Sequence, residues 1–231
     1  MASANTDQSP VTRYQLLVTS YTILVTRYLS MVPQAIRELA DMFDRLPGVG
    51  PRAALRYAYW LATQPKTTVK QFADKLSQLA AKIVACQVCG MWTETSPCSI
   101  CADPRRDDGQ LCIVANSQDI RVLEDASVFQ GKYHVLGGLL DPIEGRTPDT
   151  LQINNLLNRL KDPNSKIREV VLALDPDVSG DTTSMYLMRQ LAGLPISISR
   201  LARGIPTGAQ IEYADEATIT DAYLNRRRTK D

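Results

Sequence analysis

The stretch "CQVCGMWTETSPCSIC" places four of the chain's five cysteines in two CxxC pairs, Cys86 with Cys89 and Cys98 with Cys101, separated by eight residues. Each pair can turn as a tight knuckle that presents two thiolates to one ion. Two knuckles close a tetrahedral four-sulfur site of the kind that holds structural zinc. Four protein ligands saturate the ion and leave no open catalytic position, so Cys86, Cys89, Cys98 and Cys101 are read as ligands of a structural Zn²⁺. Thiols in an apolar core, or a redox pair, are the weaker readings. Cysteines gathered in one place suit a metal site in a reducing compartment better than a disulfide framework, which points to the cytosol. Cys112, inside "LCIVA", reads as a small buried hydrophobe.

A chain of 231 residues with 44% hydrophobic content can bury a sizeable core. With 26 basic against 25 acidic residues the formal charge is +1, so any affinity for nucleic acid must come from local clusters. The early segment "YQLLVTSYTILVTRYLSMV" is apolar but interrupted by polar residues, and the stretch bounded by Arg13 and Arg27 is too short to span a bilayer. Residues 1–30 are expected to be a disordered extension ahead of the folded domain, with Met31 as the natural start. The other reading is a segment that lies on a membrane surface or binds a partner.

From Val32 to Arg45 the apolar positions Ile36, Leu39, Ala40 and Phe43 recur at helical steps. "LPGVGPR" interrupts that helix, "RAALRYAYWLA" predicts a second, and a third is expected from about Thr68, where Thr68 and Gln71 have capping-box spacing, to Val84. Gly48 and Gly50 flank one apolar residue just before a helix that begins near Pro51. Glycines let backbone approach a ligand closely, a helix start offers unpaired N–H groups, and Arg52 and Arg56 stand four apart on one helical face. Together these features suit a phosphate. They read as a helix–hairpin–helix, which grips the DNA backbone without reading bases. An ordinary connection between two helices would look the same at this level.

Past the cysteines the texture changes. "LCIVA", "YHVLGG", "EVVLAL" and "ISISRLA" are short apolar runs separated by helix-like stretches over 147–161 and 182–191, which argues for a mostly parallel α/β sheet from about Gly109 onward. Ligands gather beyond the carboxyl ends of such strands, where "ALDPD" and "ANSQD" fall. Asp175 and Asp177 are therefore a candidate Mg²⁺ site for phosphoryl transfer. The competing reading makes them solvated loop acids, with Asp181 capping a helix that begins near Thr182. A working site wants a third acid, and the first loop supplies Ala115 and Asn116, with Asp119 only a turn later.

Four segments carry a resemblance: "LPGVGPRAALRYAYWL", "CQVCGMWTETSPCSICADPRRD", "GKYHVLGGLLDPIEG" and "ISRLARGIPTGAQIEYADEATI". In that order, and over Val32 to Arg227, the chain is similar to the bacterial RecR family of recombination mediators. The resemblance implies an α+β multidomain fold. Its parts would be an extension (1–30), an N-terminal helix–hairpin–helix (31–84), a small C4 zinc-binding module (85–108), an α/β Toprim domain (109–201) and a C-terminal oligomerisation segment (202–231).

It also implies non-specific binding of single- and double-stranded DNA, self-association into a ring, and cooperation with RecO and RecF in loading RecA, with no membrane role. The family's DNA-contacting basic positions fall on Arg52 and Arg56, which join the hairpin glycines Gly48 and Gly50 as expected DNA-binding residues, its zinc ligands fall on the four clustered cysteines, and the Toprim DxD falls on Asp175 and Asp177. Where Toprim proteins carry Glu at the end of the first strand, this chain has Ala115. The expectation is a protein that is not an enzyme, the alternative being a Toprim-type, metal-dependent phosphoryl-transfer enzyme. Arg203 and Asp215 are expected to be structural, His134 packed or hydrogen-bonded, "NRRRTK" a solvated tail, and Trp60 and Trp92 packing residues.

Overall fold

Alanines at helical spacing let two helices approach closely, and that contact organises the start of the folded chain. The computed structural model describes residues 31–227; the expected extension 1–30 and the end of the basic tail, including Arg228, lie outside them. The chain divides into two compact units, the first ending at Ala80 and the second beginning at Ala81. Among the described residues no helix is long and apolar enough to cross a membrane.

The first unit holds α1 (Gln34–Asp44), α2 (Pro51–Ala62) and most of α3 (Lys66–Lys82). Ala40, Ala54 and Ala58 form the buried contact between α1 and α2, ringed by Ile36, Phe43, Val49 and Leu55. Phe43 meets the Tyr57 ring edge-on at 6.1 Å. Leu39, expected on the buried face, is exposed, and so is Trp60 at 57%, which corrects the reading of Trp60 as a packing residue. The third helix also departs from expectation. It begins at Lys66, because Pro65 presets the helical φ and its carbonyl already accepts the N–H groups of Thr68 and Val69 at 2.9 and 3.2 Å. Thr68 therefore sits inside the first turn rather than capping it.

The second unit opens with β1 (Val84–Ala85) and β2 (Trp92–Thr93), an antiparallel pair, and the single turn α4 (Ser99–Ala102). There follow β3 (Asp107–Val114), α5 (Ser117–Asp125), β4 (Gly131–Val135), α6 (Ile153–Lys161), β5 (Glu169–Ala173), α7 (Val178–Leu191) and β6 (Ser197–Arg200). A 3₁₀ turn, Ile211–Tyr213, leads to α8 (Glu216–Leu224), capped by Asp215. The main sheet has the order β4-β3-β5-β6 and is parallel throughout.

Side chains alternate across a strand, and here the alternation sorts two cores. Leu111, Ile113, Val170 and Leu172 face one way, against Ile153, Leu156 and Leu160 of α6 and Leu187 and Leu191 of α7. Cys112, Val114, Tyr133 and Val135 face the other way, against Ile120 of α5 and, from the cysteine module, Met91 and Ile100. Two helix starts differ from the sequence expectation. The helix foreseen over 147–161 begins at Ile153, since the Thr150 hydroxyl bonds the backbone N–H and C=O of Thr147 and holds that segment in a turn. The helix foreseen from Thr182 begins at Val178.

Arg106, ahead of β3, donates to Glu124 of α5 at 2.9 Å, and the Tyr133 hydroxyl of β4 donates to the same carboxylate at 2.7 Å. Arg106 holds the Glu124 carboxyl below its ordinary value of 4.5, while burial pushes the Tyr133 hydroxyl up. A depressed carboxyl contributes stability that is complete above its unfolded-state value and is lost as pH falls through the folded-state value. Glu124→Gln should therefore cost about 1–2 kcal/mol at pH 7, and its stability should converge on that of the parent below pH 4.5. Denaturant unfolding at a series of pH values checks this; a deficit that does not shrink as pH falls below 4.5 would contradict it.

Candidate zinc centre and nucleic-acid interface

Five cysteines are free, and four of them are gathered at one point. The Sγ atoms of Cys86, Cys89, Cys98 and Cys101 all lie within 4.8 Å of one another, with Cys89 and Cys98 3.7 Å apart. Tetrahedral coordination at a Zn–S distance of about 2.3 Å separates sulfurs by about 3.8 Å, so the donor set fits zinc in both number and spacing. The knuckle geometry comes from the local chain. Cys86 O accepts from Gly90 N at 2.8 Å, and Gly90 turns the backbone at φ +79. A Cβ there would meet Val135 O at 3.0 Å. The Cys98 and Cys101 N–H groups point at the sulfurs of Cys86 and Cys98, at 3.4 and 3.5 Å.

Thiols packed this closely favour loss of a proton. The hydrogen bond from the Cys101 thiol brings Cys89 down to about 5, and the same bond pushes Cys101 up. Arg159 of α6 is the adjoining cation: it donates to Tyr133 O at 2.8 Å and Val88 O at 3.4 Å, and the cluster's charge offsets part of what burial does to it. Sequence reasoning missed Arg159, whose only signal was a basic residue on an otherwise buried helix face. Val135 N donates to Cys89 O at 2.7 Å, so the knuckle is bonded to the end of β4. Trp92, beside it, is 63% exposed, which corrects the expectation that it packs.

The carboxylates beyond the sheet take other work. Asp177 caps α7, accepting Gly180 N at 2.7 Å. Gly180 is required there, since a Cβ would collide with Asp175 O. Asp181, expected as the cap, instead pairs with Arg203 and Arg200, and Arg203 in turn reaches Asp221 of α8 at 3.9 Å. Arg203 holds the Asp181 carboxyl below its ordinary range. Asp119 accepts the Asn116 N–H at 2.7 Å. Ala115 follows β3 directly and is buried. Among the described residues the four cysteines are the only cluster of three or more metal-donor side chains, and no third acid joins Asp175 and Asp177.

His134 is 2% exposed, with Nε2 3.0 Å from Gln152 O, and burial brings it down to about 4. Cys112 is a buried thiol pushed up to about 12 by the same cause.

At the hairpin, Gly48 adopts φ +75, a conformation that favours glycine. Gly50 is extended, at φ −94 and ψ 171, and α2 starts after it with Pro51 and no side-chain cap. A Cβ on either glycine would meet nothing within 4 Å, so internal packing does not demand them. Arg52 and Arg56 are exposed, and the Arg56 guanidinium lies over the Tyr57 ring at 5.3 Å.

The order of parts defines a class: a chain that joins a helix–hairpin–helix and a four-cysteine finger to a Toprim sheet. Sequence models of families match accordingly: the RecR helix-hairpin-helix over residues 36–80, the RecR four-cysteine zinc finger domain over 83–103, the Toprim domain over 109–202 and the RecR C-terminal region over 204–227. Similar curated proteins, each named "Recombination protein RecR", include that of Bifidobacterium animalis subsp. lactis (strain AD011), 42% identical over 193 residues that cover 84% of this chain and 96% of the relative. Another is that of Synechococcus sp. (strain CC9605), 46% identical over 189 residues, 82% of this chain and 97% of the relative. The chain belongs to the RecR family of recombination proteins, and it carries a structural zinc centre.

Metal analysis should find about one zinc per chain. Removing it with a strong chelator, or through Cys98→Ser, should lower the thermal midpoint of the second unit, since binding free energy is folding free energy. An unchanged midpoint would contradict the assignment.

Proposed function

We propose that this chain is a DNA-binding recombination mediator in recombinational repair, one that assembles as a clamp and holds DNA through the hairpin. The observation that carries the reading is the turn at Gly48 and Gly50, which leads into an uncapped helix start with Arg52 and Arg56 exposed on the following turns. Backbone N–H groups at that start can meet a phosphate oxygen, the missing side chains let the strand approach, and the arginines add charge-assisted bonds. Such contacts position a protein without reading sequence, which fits single- and double-stranded DNA alike. Between Met31 and Lys82 there are eight basic against four acidic residues, so the near-neutral chain has its local excess where this reading needs it.

In the same proposal the modules run 31–84, 85–108, 109–201 and 202–231, and Cys86, Cys89, Cys98 and Cys101 are the zinc ligands. Self-association brings several hairpins to one DNA, so that weak contacts act together at high effective concentration. Exposed Ile211, Tyr213, Tyr223 and Leu224 in the C-terminal segment offer apolar surface for a second copy of the chain. RecO and RecF are the proposed partners in loading RecA, and the cytoplasm is the proposed location. The Toprim sheet serves as scaffold rather than catalyst, because Asp177 is committed to capping α7 and Ala115 stands where an acid would be needed.

Arg52→Ala/Arg56→Ala should weaken DNA binding and flatten the plot of log affinity against log salt by roughly one for each phosphate contact removed, with zinc content and oligomer size unchanged. Affinity and slope equal to the parent's would place the DNA elsewhere. With labelled DNA or nucleotides and Mg²⁺ or Mn²⁺, no cleavage or synthesis is expected. Product that forms with metal and disappears in Asp175→Asn or Asp177→Asn would promote the phosphoryl-transfer reading instead.

A further inference from the structure

A pocket of about 460 Å³ opens in the second unit between the cysteine knuckle, the start of α5 and the end of β4. Its size falls in the range of small-molecule sites, about 300–1,000 Å³. The site is distinct from the hairpin and from the Asp175–Asp177 loop, neither of which contributes to its lining.

The chemistry of the lining is specific. Five of its lining residues carry side-chain amides, Gln87, Asn116, Gln118, Gln152 and Asn155, with the Asn155 amide donating to Gln152 Oε1, and no Lys, Arg, Asp or Glu lines it. Amides both donate and accept, so they complement a ligand edge that alternates donors and acceptors, while the lack of a cation disfavours a phosphate. Trp92 also lines the pocket and leaves 63% of its surface exposed, an aromatic face with nothing packed over most of it. His134 borders the same space. A carbonyl oxygen only accepts, so the nitrogen 3.0 Å from Gln152 O carries the ring proton and Nδ1 is a bare acceptor. That Nδ1 is buried and has no hydrogen-bond partner among the described residues.

The walls are braced before any ligand arrives. Trp92 N donates to the Ser117 hydroxyl at 3.0 Å, Arg159 ties Val88 O to Tyr133 O, and Gln152 N donates to Leu136 O at 2.8 Å. Held in this way, the lining suits an uncharged heterocycle with exocyclic or ring N–H groups. We infer that it binds a nucleobase, stacked on Trp92 and read along its polar edge by the surrounding amides. Such a base can come from an unpaired position in single-stranded DNA or from a free nucleoside. In either case the assignment stands apart from the hairpin's grip on phosphate.

Trp60→Phe leaves Trp92 as the sole tryptophan of the two in the chain, so its fluorescence reports on the pocket. The full-length Trp60→Phe protein, zinc-loaded, is titrated with deoxyadenosine, with a single-stranded oligonucleotide, and with a strand of equal length built of abasic sites. Saturable quenching is expected from ligands that carry bases and not from the abasic strand. Asn155→Leu and Gln118→Leu, both at exposed positions, should each weaken it about tenfold with zinc content unchanged. Tighter binding of the strand than of the nucleoside identifies DNA as the source of the base; equal or weaker binding identifies the free nucleoside. Quenching by the abasic strand equal to that by the intact one, no quenching at all, or parent-like binding by both leucine variants would overturn the assignment. Repeating the titration with Arg52→Ala/Arg56→Ala added separates the two readings, because base-dependent quenching by deoxyadenosine should persist when the hairpin no longer holds DNA.

Discussion

Four thiols brought within 4.8 Å of one another are the constraint on which the second unit depends. The knuckles that carry them are too short to bury a core, and α4 is a single turn. A metal ion supplies the cross-link that a hydrophobic core would supply in a larger module. The consequence reaches beyond the module. Cys89 O is bonded to Val135 N, Arg159 leans on Val88 O, and Met91 and Ile100 cover one face of the sheet. Ordering the cysteines therefore orders the β4 edge and one wall of the adjoining amide-lined pocket.

The carboxylate loops show how one address on a fold can be used in two ways. Asp175 and Asp177 stand beyond the carboxyl end of β5, where α/β sheets collect ligands. Here the loop folds back instead: Asp177 satisfies the start of α7, Gly180 lets that helix come up against Asp175 O, and Asp181 is drawn into ion pairs that fasten the C-terminal segment.

The cysteine spacing was the most legible part of the sequence, because a CxxC pair is a local geometric device that needs nothing from the rest of the fold. The parallel sheet was nearly as clear, since β3 and β5 are buried on both faces in part and read as continuous apolar runs. Helix starts were harder to read. At Lys66 and Val178 the decisive residues were Pro65 and Asp177, and each lay a few residues ahead of the signal that spacing alone suggested. Asp177 was read as a metal ligand or a solvated loop acid, with Asp181 as the cap, and the structure gives the cap to Asp177. Trp60 and Trp92 were misread as packing residues, because one sequence does not say which large apolar side chains the fold leaves uncovered. The pocket was invisible for a further reason: Gln87, Asn116, His134 and Asn155 converge only through the docking of the knuckle on β4.

Amide hydrogen exchange, followed residue by residue before and after zinc removal, tests this dependence most directly. The account predicts faster exchange at Gly90 and Val135, whose N–H groups bond within and beneath the knuckle, and retained protection at Val170 and Leu172 in β5 on the far side of β3. Unchanged protection at Val135 after the metal has gone would contradict it, because the knuckle would then be held to the sheet by something other than its zinc.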